Sequence, residues 1–556
     1  MPGGLLNIVS YGNQNVILNG NPSKTMFKCT YSKYTNFGLQ KFRLDFDGSR
    51  TLRLNESSKF TFKVQRYAEL LMDTYLVVTL PTIWSPILPP TGCDSATGQW
   101  LPYEFKWIEN LGTQMIKQVT FSVGGQIVQQ FTGQYLYNLV ERDFSGAKKD
   151  LYYKMTGNVA ELNDPANSGT RVNVYPSAYP LANPAQYPQG PEPSIRARKL
   201  YIPLNIWFTL AAKMAFPLVS MQYNELYIDI ELRPIVELFV VRDVVSGDMC
   251  YQQANQNISQ FQFYRFLQPP PDISLNYTDF RTNWNADIHL MSTYAFLSED
   301  EVKVFAARPQ QYLIKEAFNY NFNNVTGTNK VKLESSLGMV ASWMWFYQRS
   351  DAYLRNEWSN YTNWPYNYLP YDLQSTNANS IYPTLTVPCS ANQYSPYTNP
   401  YNNSLSNIRV TGPYQVANQK DIMMYWGLLL NGKYRENTYD AGVYNYVEKY
   451  VRTSGNSPDG LYCYNFCLQT NPFDFQPSGA INLSKFTTVE FEFATFQPPL
   501  DPSAQVITIC DSFGNTIGIN KPTWRIYDYN YDMTVMEERY NILTFTSGNA
   551  ALMYAR

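Results

Sequence analysis

Two stretches in which apolar and polar residues alternate up to a glycine turn constrain the fold of this chain most strongly. Residues 119–123 read Val-Thr-Phe-Ser-Val and are followed by Gly124-Gly125. Residues 424–430 carry apolar side chains at every second position and are followed by Asn431-Gly432. Such dipeptides supply the positive φ angles of a two-residue hairpin turn. Each half of the chain is therefore predicted to contain an antiparallel β-hairpin.

A later strand in each half carries acids on one face. Residues 226–232 place Leu or Ile at every second position, with Asp229 and Glu231 between them. Residues 489–493 alternate in the same way around Glu490 and Glu492. This pattern is typical of a half-buried antiparallel strand. Because the spacing between corresponding segments differs, two copies of one β domain with different loop insertions explain it better than a short repeat.

Further strands and long loops extend this all-β prediction. Strands are predicted at residues 60–64, 70–80 and 291–297, and long surface loops rich in Pro, Gly, Asn or Tyr at 81–102, 174–194 and 350–420. One helix is predicted to begin after Ser298, with Glu301 completing a capping box, and to end before Pro309. The segment 298–310 is predicted to link two domains.

Composition excludes several classes of protein. Only 16 % of residues are charged and the net charge is −2, so a large nucleic-acid footprint, which requires clustered Lys and Arg, is not expected. The longest apolar stretch, residues 339–347, is too short to span a bilayer. The chain start lacks the features of a signal peptide.

Metal binding and nucleophilic catalysis find little support in the residues. The single histidine, His289, lies at a strand edge and is interpreted as structural. Cys463 and Cys467 are close in sequence, but a structural zinc site requires four ligands, so buried free thiols are expected. No glycine-rich phosphate loop occurs. We expect no catalytic residues, no cofactor and no metal.

Two further kinds of site remain open. The pairs Asp229/Glu231 and Glu490/Glu492 could serve a glycosidase, although the solvated face of an outer sheet explains them better. Seven Asn-x-Ser/Thr triplets could accept glycans; they are Asn55, Asn257, Asn276, Asn324, Asn360, Asn402 and Asn482.

The N-terminal 43 residues carry the most specific motif. Residues 3–43 read GGLLNIVSYGNQNVILNGNPSKTMFKCTYSKYTNFGLQKFR, with a turn at Gly20-Asn21-Pro22 and a strand-like run at 25–31. This stretch resembles the N-terminus of the major capsid proteins of nucleocytoplasmic large DNA viruses, which infect algae and amoebae. The matching positions include Gly3, Gly4, Tyr11, Gly12, Gln14, Gly20, Asn21, Pro22, Phe27, Lys28, Tyr31, Thr35, Asn36 and Phe37. The runs 203–225 and 540–555 resemble the same family.

The resemblance implies a specific architecture. It implies two consecutive eight-stranded antiparallel jelly-roll sandwiches with long loop insertions and a few short helices. We expect an arm at 1–26, a first jelly roll at 27–297, a helical linker at 298–310 and a second jelly roll at 311–556. The loops 174–194 and 350–420 are then expected on the outer side of the shell.

The resemblance also implies a function. The chain would form homotrimeric, pseudo-hexagonal capsomers of an icosahedral capsid, as a late structural protein assembled in the host cytoplasm. Its partners would be neighbouring capsomers, minor capsid and penton proteins and, through the arm on the inner side, the internal viral membrane. Two other interpretations stay open, a carbohydrate-binding or glycoside-active β-sandwich and a trimeric receptor-binding spike.

Overall fold

The eleven strands described in the first half of the chain form two four-stranded sheets with small additions. The computed structural model describes residues 2–46, 48, 51–85, 103–176, 192–242, 251–255, 257–258, 261–268, 284–334, 337–364, 419–474, 476–501, 507–520 and 526–554. The strands are β1 (Phe37–Leu44), β2 (Ser58–Lys63), β3 (Leu70–Leu80), β4 (Glu104–Trp107), β5 (Ile116–Val123), β6 (Gln126–Phe131), β7 (Arg198–Pro203), β8 (Phe216–Pro217), β9 (Leu226–Leu232), β10 (Phe239–Arg242) and β11 (His289–Leu297). The sheets have the orders β1-β11-β3-β7 and β2-β9-β5-β6.

The second half repeats this arrangement strand for strand. Its strands are β12 (Gln310–Phe322), β13 (Thr328–Lys332), β14 (Met339–Arg349), β15 (Met423–Leu430), β16 (Lys433–Asp440), β17 (Leu461–Asn465), β18 (Ile481–Asn482), β19 (Val489–Thr495), β20 (Ile507–Cys510), β21 (Thr516–Asn520), β22 (Tyr531–Thr546) and β23 (Asn549–Leu552). The main sheets have the orders β12-β22-β14-β17 and β13-β19-β15-β16. When only the eight strands of the two main sheets are numbered along each half, the sheet orders are 1-8-3-6 and 2-7-4-5 in both halves. This is jelly-roll connectivity.

Buried and exposed side chains alternate along the strands, as the sequence predicts, and the buried side chains form the cores. Along β9 every second residue is buried, and β2 and β19 begin with the same pattern. Both predicted hairpins are confirmed: Gly124 and Gly125 have φ angles of 56° and 83°, and Asn431 and Gly432 have φ angles of 50° and 74°. Most residues with a Cβ rarely adopt these angles. Gly lacks a Cβ and Asn tolerates positive φ better than most, which explains both residue types at the turns.

The sheet β12-β22-β14-β17 is buried on both faces. Trp343, Trp345 and Tyr347 point into the core of the second half, where rings of β14, β15 and β19 stack. Met344 and Phe346, on the opposite face, join the core cluster of the first half. The outer face of this sheet therefore forms the junction between the two sandwiches.

Helices are short and lie mostly between strands. They are α1 (Gly3–Val9), α2 (Val16–Asn19), α3 (Leu111–Met115), α4 (Gly133–Asp143), α5 (Gly146–Thr156), α6 (Ala160–Asn163), α7 (Glu299–Ala307) and α8 (Glu448–Arg452), the last preceded by a π-helical turn at Val443–Val447. The helix predicted after Ser298 is confirmed as α7, but the capping box is wrong. The Ser298 side chain makes no capping hydrogen bond; its carbonyl oxygen accepts from the Val302 amide at 3.0 Å and closes the first turn.

Two helices of eleven residues each, α4 and α5, were not expected from the sequence.

Most of the predicted outer loops, residues 177–191 and 365–418, lie outside the described residues, as does most of 81–102. In the part of the chain that is described, no helix is long and apolar enough to cross a membrane.

Candidate assembly site

The N-terminal arm presents apolar side chains that nothing in the described chain covers. All residues from 2 to 41 are exposed except Asn15, which is half-buried. Large apolar side chains recur along the arm, among them Leu6, Ile8, Ile17 and Leu18, and the side chain of Phe27, directly after the arm, is 100 % exposed. The hydrogen bonds that residues 2–36 make with other described residues all join positions within four residues of each other. Uncovered apolar surface of this extent is typical of segments that bind a partner.

The residues that carry the family resemblance all lie on this arm or at its junction with β1. Gly3 and Gly4 begin α1, Gly20-Asn21-Pro22 forms a bend, and Phe37 opens β1. Asn21 has a φ angle of 47°, in keeping with the predicted turn. The other matching residues, Tyr11, Gly12, Gln14, Phe27, Lys28, Tyr31, Thr35 and Asn36, are exposed. The strand predicted at 25–31 is wrong: this segment is irregular, and none of the described strands pairs with it.

A buried ion-pair network joins α4 of the first half to the second half. The Arg142 guanidinium donates to both carboxylate oxygens of Glu538, at 3.0 Å each, and to Asp143 at 2.7 Å. The Ser342 hydroxyl donates to Glu538 at 2.7 Å, and the Thr470 hydroxyl donates to Asp143 at 2.5 Å. All three charged side chains have an exposed fraction of 1 % or less. The network therefore fixes one half against the other without access to water.

Further polar contacts extend the junction around this network. The Lys149 ammonium lies 3.1 Å from the Glu141 carboxylate and donates to the Asn456 side chain at 2.7 Å. The Asn356 amide donates to the carbonyl oxygens of Val236 and Phe239 at 2.9 Å each. The two sandwiches are thus connected by directional hydrogen bonds as well as apolar packing, which favours one fixed geometry.

The electrostatics of the network favour a charged Glu538. Burial opposes its ionised form, but Arg142, Lys315 and the Ser342 hydroxyl outweigh burial and lower the pKa of Glu538 from 4.5 to about 2. A group whose pKa is lower in the folded state stabilises the fold above its unfolded pKa, and this contribution is lost as the pH falls towards the folded pKa.

We expect a corresponding loss of stability in acid. Between pH 5 and pH 2 the free energy of unfolding should fall as Glu538 becomes protonated, while burial, which raises the pKa of the neighbouring Asp143, offsets part of this loss. Glu538→Gln should be less stable at pH 7 and should show a shallower acid dependence, as measured by urea denaturation across this pH range. Equal acid dependence in the variant and the wild type would contradict the assignment.

The acid pairs that could have served a glycosidase are bound to neighbouring strands. Lys117 lies 2.8 Å from Glu231, and Lys59 lies 3.7 Å from Asp229. Glu490 lies 3.0 Å from Lys330, and Glu492 accepts a hydrogen bond from the Tyr434 hydroxyl at 3.0 Å. These contacts are those of ion pairs and hydrogen bonds across the outer face of a sheet.

The histidine and the paired cysteines lie in structural environments. His289 is largely buried at the start of β11, and its Nδ1 lies 2.7 Å from the Asp287 carbonyl oxygen. Burial lowers the pKa of His289 and raises the pKa of Cys463 to about 11. Cys463 and Cys467 are buried free thiols, whereas Cys29 and Cys510 are exposed. No cluster of metal-ligating side chains occurs among the described residues.

The candidate glycan acceptors differ in exposure. Asn55, Asn257, Asn324 and Asn482 are exposed, while Asn276 and Asn402 lie outside the described residues. Asn360 is buried, and its Nδ2 donates to the Trp364 carbonyl oxygen at 2.6 Å and to Glu357 at 3.2 Å. A glycan on that nitrogen would require the local fold to open.

Comparison with solved structures defines the class of fold. The chain is similar to the Faustovirus major capsid protein, with a TM-score of 0.59 and 12 % identity over 94 % of this chain and 93 % of that chain. It is also similar to the quasi-atomic model of the PBCV-1 virus capsid, with a TM-score of 0.58 and 19 % identity over 96 % of this chain and 100 % of that chain. Together with the strand orders, these likenesses define a double jelly roll.

Comparison with sequence families defines the kind of protein. The family model "Major capsid protein N-terminus" matches residues 25–268, and "Large eukaryotic DNA virus major capsid protein" matches residues 301–551. The major capsid protein of Phaeocystis pouchetii virus is 24 % identical over 591 aligned residues that cover 100 % of both chains. The chain belongs to the major capsid protein family of large icosahedral DNA viruses, and its function is structural.

Proposed function

We propose that the protein forms homotrimeric capsomers that tile the outer capsid shell together with neighbouring capsomers, minor capsid proteins and penton proteins. The observation that carries this proposal is the identical strand order of the two sandwiches. Two similar domains in each of three chains give a near-hexagonal outline, which packs into flat facets. A net charge of −2 per chain allows dense packing without strong repulsion.

The domain division of the proposed protomer follows the sequence prediction. The arm covers residues 1–26, the first jelly roll 27–297, the helical linker 298–310 and the second jelly roll 311–556. The loops 174–194 and 350–420 form the outer side of the capsomer. Glycans, where present, are carried by the exposed residues Asn55, Asn257, Asn324 and Asn482. The protein is not an enzyme; it is assembled in the host cytoplasm and resides in the virion.

The arm binds partners on the inner side of the shell. Its uncovered apolar side chains match a partner with an apolar surface, such as a neighbouring capsomer, a minor capsid protein or the internal viral membrane. Lys24, Lys28 and Lys33 add positive charge near the end of the arm. Direct binding of nucleic acid is not part of this proposal.

Quantification of the proteins in purified virus particles tests the proposed function. We expect this chain to be the most abundant protein of the particle, in numbers that fit a shell of trimers. A few copies per particle would identify a spike instead and would overturn the capsomer proposal.

Removal of the arm should separate capsomer formation from shell assembly. We expect a virus that encodes the chain without residues 2–26 to form soluble trimers, because the arm makes no hydrogen bond to the described body. Complete capsids, counted by electron microscopy of infected cells, should be lost. Ser23→Ala keeps the apolar and the charged side chains of the arm and serves as the control with normal capsid numbers. Normal capsids without the arm would contradict its proposed role.

A further inference from the structure

An exposed apolar face on the second half has no described neighbour. The helical segment 443–452 joins the π-helical turn to α8. Tyr446, Val447, Tyr450 and Val451 lie one turn apart on its surface, and the Tyr450 side chain is 91 % exposed. Tyrosines in a cluster of this kind are typical of the centre of a protein–protein interface.

The first half shows what an equivalent helix does. In each half a helix follows the hairpin directly, α4 after β5–β6 and residues 443–452 after β15–β16. The face of α4 that carries Tyr135, Asn138 and Arg142 packs on the outer face of β14 and β22. Arg142 lies ten residues after Thr132, which precedes α4, and Tyr450 lies ten residues after Asp440, which ends β16. The π-helical turn before Tyr450 shifts it around the helix axis, so the two residues hold similar and not identical places.

The sheet equivalent to β12-β22-β14-β17 is β1-β11-β3-β7 of the first half. The edges of its outer face are exposed, at Leu39, Lys41 and Tyr201, whereas Thr293 and Ala295 in the centre of this face are buried. The face whose equivalent in the second half is packed against α4 is therefore partly uncovered in the first half.

The strand pairings place individual residues in correspondence. In each half two consecutive residues of the third strand pair with both the eighth strand and a two-residue strand. The first of them is Leu70 in the first half, paired with Ala295 and Pro217, and Met339 in the second half, paired with Tyr540 and Asn482. Thr293 lies two residues before Ala295, and Glu538 lies two residues before Tyr540. Thr293 therefore holds the place of Glu538, to which Arg142 binds. Asp73 lies opposite Thr293 at the bulge between β3 and β11.

The surface around Asp73 can receive an aromatic side chain. A cleft of about 280 Å³ opens beside it, between β3 and α5, with Tyr75, Phe144 and Phe473 among its walls. The Lys148 ammonium lies 3.6 Å from the centre of the Phe473 ring. The half-buried Asp73 carboxylate offers an acceptor for a phenol hydroxyl.

We propose that residues 443–452 of one copy pack on the outer face of β3 and β11 in the first half of the next copy, with Tyr450 entering the cleft beside Asp73. This contact repeats between copies the contact that α4 makes within the chain. A helix-to-sheet contact between copies is heterologous, and in the proposed trimer three such contacts close into a ring. The inference rests on the proposed trimer and names the surfaces that close it.

Sedimentation analysis of paired variants tests the proposal. Tyr450→Asp places a negative charge opposite Asp73, and Phe513→Asp is the matched control, because the Phe513 side chain on the β20–β21 hairpin is 89 % exposed. We expect Phe513→Asp to form trimers and Tyr450→Asp to be monomeric, with the dissociation constant raised about 100-fold or more. Circular dichroism should show both variants folded.

The outcomes separate this inference from the proposed function. If the wild type and Tyr450→Asp are both trimers at the same dilution, the inference is overturned and the proposed capsomer stands. If the wild type is a monomer, the proposed function itself fails. Equal dissociation of both variants also overturns the inference, because the effect would not depend on this face.

A cysteine pair locates the contact directly. The double variant Tyr450→Cys with Asp73→Cys should form disulfides between copies, giving dimers and trimers on a denaturing gel without reductant. The single variants and the wild type, which has exposed Cys29 and Cys510, provide the background. Linkage within single chains, or no linkage above background, would contradict the proposed pairing.

Discussion

Arg142→Ala should destabilise the protein by about 3–5 kcal/mol, because it leaves the buried Glu538 and Asp143 carboxylates without their shared cation. Arg142→Lys should recover only part of the loss, since an ammonium lacks the planar fork through which the guanidinium donates to Asp143 and Glu538 at several positions. Urea denaturation at pH 7, at one fixed protein concentration, measures the change.

The matched control for this prediction is an exposed arginine. Arg53 lies 2.7 Å from Glu56, with 66 % and 70 % of the two side chains exposed. We expect Arg53→Ala to change the free energy of unfolding by about 0.5 kcal/mol or less. If Arg142→Ala also lowered the free energy of unfolding by only about 0.5 kcal/mol, this would contradict the view that the network holds the two halves together.

Trp345→Ala should cost about 3–5 kcal/mol of stability, the range for truncation of a buried aromatic side chain. Trp345 is fully buried in the second sandwich, and its ring centre lies 4.7 Å from that of Trp426 and 5.7 Å from that of Tyr444. Tyr444 belongs to the helical segment 443–452, so the cavity should also loosen the proposed docking helix.

Two comparisons make the Trp345 prediction specific. Trp345→Phe should lose less, because an aromatic ring remains in the site, and Phe513→Ala on the surface should stay within about 0.5 kcal/mol of the wild type. Trimer formation by Trp345→Ala should require a higher concentration than trimer formation by the wild type. A Trp345→Ala variant with unchanged stability and unchanged trimer dissociation would contradict the described core.

Strands could be predicted from sequence where one face is buried and the other is wet. The alternation at 226–232 and 489–493 and the turns at Gly124-Gly125 and Asn431-Gly432 are local signals, and all four are confirmed. The arm could be identified only through its resemblance to a family, because its apolar side chains have no partner within the described chain that would impose a period.

The junction could not be predicted, for two physical reasons. One face of α4 is apolar and packs in the core of the first half, but the face that packs on the second half carries Asn138 and Arg142 and therefore has the composition of a solvent-exposed face. The partner of Arg142 is Glu538, 396 residues further along the chain. Only folding brings the two charges together, and no local pattern marks either of them.

The solution mass of the purified wild-type chain, measured by light scattering after size exclusion, tests the central claim most directly. One chain has a mass of 64.1 kDa. A trimeric capsid protein should give three times this mass, unchanged on dilution. A monodisperse monomer that binds oligosaccharide would contradict the account and would direct attention to the carboxylates on the outer face of the second sandwich.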